Sequence, residues 1–135
     1  MTARLPEPAA TMLRHARVAR LATIGDDGWP HVVPISPVLD GERLLFAAED
    51  TVKLRNLRAD PRVAVVVDDY LEDWNALRRV LVRGTARVIE DGAEWERARE
   101  LLYEKFRQYE PQAEIVPGST SVVEISIERV SVTGV

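Results

Sequence analysis

Residues 29–39 read Trp-Pro-His-Val-Val-Pro-Ile-Ser-Pro-Val-Leu, a β-rich run that carries three prolines. Proline has no backbone N–H to give to a ladder, and it is excluded from the middle of a sheet. A strand here must lie at an edge, carry a bulge, or divide between sheets. The flanking residues fix its partners. Val18–Ile24 is a β-branched and apolar run, and Gly25-Asp26-Asp27-Gly28 after it is a two-glycine turn, so 18–24 and 29–39 form a hairpin. Asp40-Gly41 is a second hairpin turn, leading into a strand at Arg43–Ala48.

The rest of the chain repeats this grammar. Residues 6–16 open with Pro6 and Pro8, and Ala9, Met12, Leu13 and Ala16 share a helical face. Val63–Asp68 is a compact β-branched strand. Residues 69–78 form an acidic, aromatic loop, and 79–90 a long strand in which Gly84 marks a bend or a close approach. Asp91-Gly92 turns into a helix over 93–108, with Trp95, Ala98, Leu102, Phe106 and Tyr109 as its apolar stripe. The last strand spans 121–132. The order is helix, three strands, helix, two strands, helix, strand. Six strands joined largely by hairpins point to a mainly β, six-stranded antiparallel barrel in a single domain over residues 1–135.

Between the third and fourth strands lies a short helix with Asp50 or Thr51 as N-cap and Asp60-Pro61 as its stop. Lys53 falls in its first turn, where the helix dipole disfavours a cation. A lysine there is explained if an anion also sits there, since unpaired N–H groups and an ammonium together make a phosphate site.

Composition narrows the chemistry. The 135 residues contain no cysteine, which excludes disulfides and thiolate chemistry, and only two histidines, His15 and His31, which disfavours a histidine metal site. The net charge of −4 argues against nucleic acid as a partner. The cations nevertheless crowd together: Lys53, Arg55, Arg58, Arg62, Arg78, Arg79, Arg83 and Arg87 suit a small polyanion, or else solvated strand and helix faces. Residues 1–20 lack an apolar signal region and no apolar run approaches about 20 residues, so the expectation is a cytoplasmic protein with no membrane span. The preference for Arg, Ala and Val hints at a high-GC bacterial genome. Nothing resembles a nucleophile–base pair or a two-carboxylate acid–base site.

The run ARVARLATIGDDGWPHVVPISPVLDGERLLFAAEDTVKLRNLRADPRVAVVVDD, followed by VRGTARVIED, resembles the pyridoxamine 5′-phosphate oxidase-like split-barrel family. Within it, the chain looks most like the bacterial deazaflavin (coenzyme F420)-dependent oxidoreductases. Three motifs carry the likeness: G-x-P-H-V-V-P, T-x-K-x-x-N-L-R-x-D-P-R-V and R-G-x-A. The resemblance implies a homodimer of six-stranded split barrels with the cofactor in a groove between subunits. Lys53 matches the family's phosphate-binding lysine, and Thr51 stands where many relatives have an arginine. Val33, Pro34, Ile35 and Ser36 match the strand that offers its backbone to the tricyclic ring. Asn56 follows the N-L motif, as a cofactor residue or as a cap or packing residue. Trp74 would reach the neighbour's cofactor or line the dimer interface. Arg83 would reach an anionic cofactor across the dimer or pair with an acid. Trp29 would wall the substrate side or cover the barrel end, Trp95 is core, and His31 is structural or solvent-facing.

The implied activity is hydride transfer between deazaflavin and a small organic substrate. The alternatives are an FMN oxidoreductase of the same fold and a non-catalytic F420- or flavin-binding protein. Pyridoxamine phosphate oxidation itself is not expected, because no C-terminal substrate segment is evident.

Overall fold

The structure, a computed structural model, describes residues 4–49 and 51–134. Its first correction concerns the proline-bearing run, which forms two strands. Pro30–Ile35 (β2) pairs antiparallel with Ala19–Ile24 (β1), and Val38–Asp40 (β3) pairs antiparallel with Arg43–Ala48 (β4). Ser36-Pro37 is the crossing between them. The remaining strands are Arg62–Asp69 (β5), Arg78–Ile89 (β6) and Ser121–Thr133 (β7). One seven-stranded antiparallel sheet results, in the order β2-β1-β5-β6-β7-β4-β3. The described residues form seven strands where six were expected because Pro37 ends a pairing that β-propensity alone would have carried onward. The two halves of the divided run occupy opposite edges of the sheet, the positions where proline is tolerated. The sheet curls into a split barrel.

Among the described residues, four α-helices decorate it: Glu7–His15 (α1), Val52–Ala59 (α2), Ala93–Lys105 (α3) and Tyr109–Gln112 (α4). The alternation of burial along the strands separates an inward face from an outward one. Inward residues Leu21, Val65, Val82 and Ile127 form one core, roofed by Ala9, Met12 and Leu13 of α1 and by Leu54 and Leu57 of α2. A second core forms where α3 packs Trp95, Ala98 and Leu102 against Val38, Leu45, Ile89 and Val122. Trp95 is buried, and its indole N–H donates to the Thr120 carbonyl at 2.9 Å, so its polar atom is satisfied in the core. The helix expected over 93–108 stops at Lys105. Tyr109 belongs to α4, yet it still packs edge-on against Phe106, with ring centroids 6.0 Å apart.

The long β6–β7 pair has a register shift between Arg83 and Gly84, where Gly84 lies against the Ser126 carbonyl of β7. This is the close approach that a glycine inside a strand announces. Among the described residues, no helix is long and apolar enough to cross a membrane.

Candidate functional site

The site is built where α2 meets the β1–β2 hairpin. Thr51 is the N-cap of α2 by its extended backbone, but its hydroxyl makes no capping bond; Asp50, the other candidate, lies outside the described residues. The N–H groups of the first turn have no partner within the helix, which is the state in which a helix N-terminus attracts an anion. Lys53 is the second residue of that turn. It is half-buried and has no ion-pair or hydrogen-bond partner among the described residues. By contrast Arg14, Arg43, Arg58, Arg62, Arg78, Arg87 and Arg97 all pair with carboxylates. The far end of α2 is held by Asp60, which accepts from the Arg62 side chain and backbone and whose carboxyl is lowered by these bonds to about 2.

Beside the first two turns of α2 opens a cavity of about 500 Å³. Val52, Arg55, Asn56 and Ala59 line it from the helix; Asp26, Asp27, Trp29, Pro30 and His31 line it from the hairpin. Trp29 is 74 % exposed, and its backbone N–H is held by the Asp27 carboxylate at 3.0 Å. His31 Nδ1 is buried and has no hydrogen-bond partner among the described residues. A buried polar atom left unpaired costs free energy, and it marks a place where a ligand or an ordered water completes the bonding.

The residues expected from sequence fall in four places. Asn56 lines the cavity, but its amide is committed: Nδ2 donates to Thr23 Oγ1 of β1 at 3.1 Å, with both side chains buried. This bond ties α2 to β1, and Asn56→Ala is expected to cost about 1–2 kcal/mol by stranding the Thr23 hydroxyl. Asn56→Ala combined with Thr23→Val is expected to lose less than the two single changes added together; urea unfolding of the three variants checks both statements. Val33 and Ile35 turn their side chains into the core, so only their backbone, with that of Pro34 and Ser36, faces the free edge of β2. Trp74 sits in a 3-10 turn (Trp74–Ala76) between β5 and β6, 72 % exposed, with its indole N–H on the Tyr70 hydroxyl at 3.3 Å. Arg83 is on the outward face of β6, between Ala64 of β5 and Arg129 of β7, with no acid partner among the described residues. The acid-paired arrangement considered for it therefore finds no carboxylate there. Lys53 does not line the cavity wall; Arg55 does.

His31 and Arg55 are among the cavity residues not singled out from sequence as site residues. His31 shares the inward parity of Val33 and Ile35, and that alternation was the available signal. Arg55 is three residues after Val52 and one before Asn56, so the helical repeat puts it beside the cavity-lining residues.

Comparison with known proteins places these features in context. A 5a,11a-dehydrotetracycline/5a,11a-dehydrooxytetracycline reductase of Streptomyces rimosus is 40% identical over 88 residues, which are 61% of this chain and 62% of that enzyme. The chain thus matches less than two thirds of that relative's length. Among solved structures, a conserved hypothetical protein of Mycobacterium tuberculosis superposes with a TM-score of 0.82 at 23% identity, covering 97% of this chain and 85% of the other. A heme binding protein of Mycobacterium smegmatis gives 0.82 at 25% identity, covering 98% and 55%. A FAD-binding protein of Mesorhizobium loti gives 0.79 at 25%, covering 95% and 93%. Residues 5–134, nearly the whole described chain, match the family model of pyridoxamine 5′-phosphate oxidase, and with the split barrel in place the chain belongs to that family.

Proposed function

We propose that this protein is an F420-dependent oxidoreductase that uses reduced deazaflavin to reduce a small organic substrate, acting as a cytoplasmic homodimer of one cofactor-binding domain per chain. The observation that carries the reading is the junction of α2 with β2. It combines a lysine with no partner among the described residues in the first turn of a helix, an arginine and a histidine lining an adjacent cavity, and a strand at the sheet edge. These groups fit a ligand with an anionic side chain and a flat ring.

When bound, the deazaflavin supplies the hydride, as organic cofactors do in proteins that lack their own redox groups. The chain's residues then have positional tasks. Lys53 and the first-turn N–H groups of α2 hold the phosphate. His31 and Arg55 line the chamber that would take the anionic side chain. The backbone of Val33–Ser36 sets the plane of the ring. Trp29 screens the chamber from water. Arg83 and its neighbour Arg129 supply positive charge for the cofactor's acidic tail, reached from the partner copy.

The dimer reading is supported by the outward face of the sheet. Ala22, Ala64, Val66 and Leu81 are half-buried there, in rows that end on Arg83 and Arg20, and Tyr70, Leu71 and Trp74 stand exposed beyond them. The reductase relative supports an enzyme rather than a carrier. Flavin is the second reading, favoured by the FAD-binding Mesorhizobium loti structure.

One titration separates these readings. Purified protein is titrated with F420 and with FMN, and reduction of planar enones is followed under F420H2. Micromolar F420 affinity with turnover is the expected result. Tight FMN retention would overturn the cofactor assignment, and F420 binding without turnover on any enone or quinone would favour a carrier.

A further inference from the structure

The crossing peptide Ser36-Pro37 joins the two edges of the sheet, so nothing in the strand ladders holds it. It is held from outside. Lys105, the last residue of α3, donates from Nζ to the Pro37 carbonyl at 2.7 Å. The ammonium also lies over the Phe106 ring, 5.1 Å from its centroid. Arg17, in the link between α1 and β1, covers the same ring at 4.5 Å and donates to the Lys105 carbonyl at 2.9 Å. Phe106 is itself buried, and Tyr109 of α4 packs against its edge. Arg17 and Tyr109 thus pack around Phe106 at the end of α3, and Lys105 beside it reaches the Pro37 carbonyl.

We infer that Lys105 is a positioning residue for the cofactor shelf: by anchoring the Pro37 carbonyl to α3, it fixes the free edge of β2 at Val33–Ser36 on which the ring is to lie. This rests on the reading of that edge as the ring support. Lysine is an unusual choice for a half-buried structural contact, because an uncharged donor would avoid the cost of desolvating an ammonium. That cost is visible: burial first, and the Arg17 charge second, bring the Lys105 ammonium down to about 8 from its ordinary 10.5. The charge-assisted bond to Pro37 is what the arrangement retains in exchange.

The pH dependence has a definite sign. The folded pKa lies below the unfolded one, so the cost is fully present below pH 8 and is relieved as pH rises from 8 toward 10.5. The other groups facing this cluster act differently. Arg17 faces it as a second cation, and the Tyr109 hydroxyl, raised by burial, takes stability away only above its ordinary 10.0. Between pH 8 and 10, wild-type stability should therefore climb relative to Lys105→Met and Lys105→Arg, and denaturation midpoints measured across that window read it.

The decisive experiment has two readouts. In the cofactor-free protein, amide exchange at Ser36 and Val38 is compared with that at core amides such as Val123. Lys105→Met is expected to speed exchange at the crossing about tenfold while leaving the core unchanged, and to weaken F420 about tenfold with an altered spectrum of the bound cofactor. Lys105→Arg should restore both. Unchanged exchange at the crossing overturns the inference, and so does faster exchange with wild-type affinity and spectrum. If wild-type protein binds neither F420 nor FMN, the cofactor reading fails, and the exchange comparison alone then decides whether Lys105 sets the edge. Should Lys105→Met not fold, Lys105→Gln replaces it in the same comparison.

Discussion

Gly84→Ala is expected to destabilise the protein by about 3 kcal/mol or more, lowering the thermal midpoint by roughly 10 °C. The reason is space, since the backbone of Gly84 is not in the left-handed region. A Cβ built there falls far inside van der Waals contact with the Ser126 carbonyl oxygen and stands 3.2 Å from Ile125 Cγ2. Both neighbours belong to β7, whose backbone is held on its other side by β4. The strand cannot move away without disturbing the longest pairing in the sheet. Gly28 offers the control: nothing lies within 4 Å of its Cβ position, and its φ of 84° makes Gly28→Ala a matter of backbone strain alone. Its expected cost is about 1–2 kcal/mol. Calorimetry of both variants tests the comparison, and a Gly84→Ala midpoint within a degree or two of wild type would show that the β6–β7 pair opens at this point without penalty.

The second large effect concerns binding. Lys53→Ala should weaken the phosphate-bearing cofactor by about 1.5–3 kcal/mol, roughly ten- to a hundredfold in Kd, while leaving the unfolding midpoint unchanged. The two halves of this expectation have one cause. Lys53 has no partner among the described residues, so no bond described in the fold is lost with it, whereas a bound phosphate would lose a charge-assisted one. Fluorescence titration of wild type, Lys53→Ala and Arg55→Ala measures which cation carries the anion. Full affinity in Lys53→Ala with a large loss in Arg55→Ala would move the phosphate into the cavity and away from the helix terminus.

The sheet was legible because its signals are local. Hairpin turns at Gly25–Gly28 and Asp40-Gly41, the β-branched run at Val63–Asp68, and the helical repeat of Trp95, Ala98 and Leu102 each decide a structure within a few residues. Gly84 was legible for the same reason. The third helix was overextended because its apolar repeat continues through Phe106 and Tyr109, although the chain leaves the helix at Phe106 and re-enters one at Tyr109. Apolar spacing records which residues are buried together, and it does not record that one backbone helix connects them. Asn56 was ambiguous in sequence because its partner, Thr23, is thirty-three residues away on another element.

The sequence by itself determined that this chain is mainly β, that a run with three prolines could not be a central strand, and that Lys53 would sit in the positive first turn of a short helix. Those outcomes follow from proline's missing donor, from side-chain alternation and from helix capping, all of which act over one turn or one strand. Only the tertiary structure decided that the proline run divides at Ser36-Pro37 and places its halves on opposite edges. Tertiary packing likewise brought His31 and Arg55 to one cavity, left Arg83 beside Arg129 without an acid among the described residues, and carried Lys105 from the end of α3 to the Pro37 carbonyl. These are contacts between residues far apart in the chain. Their geometry is set by how the sheet curls and where the helices dock, and no local preference of the residues involved encodes it.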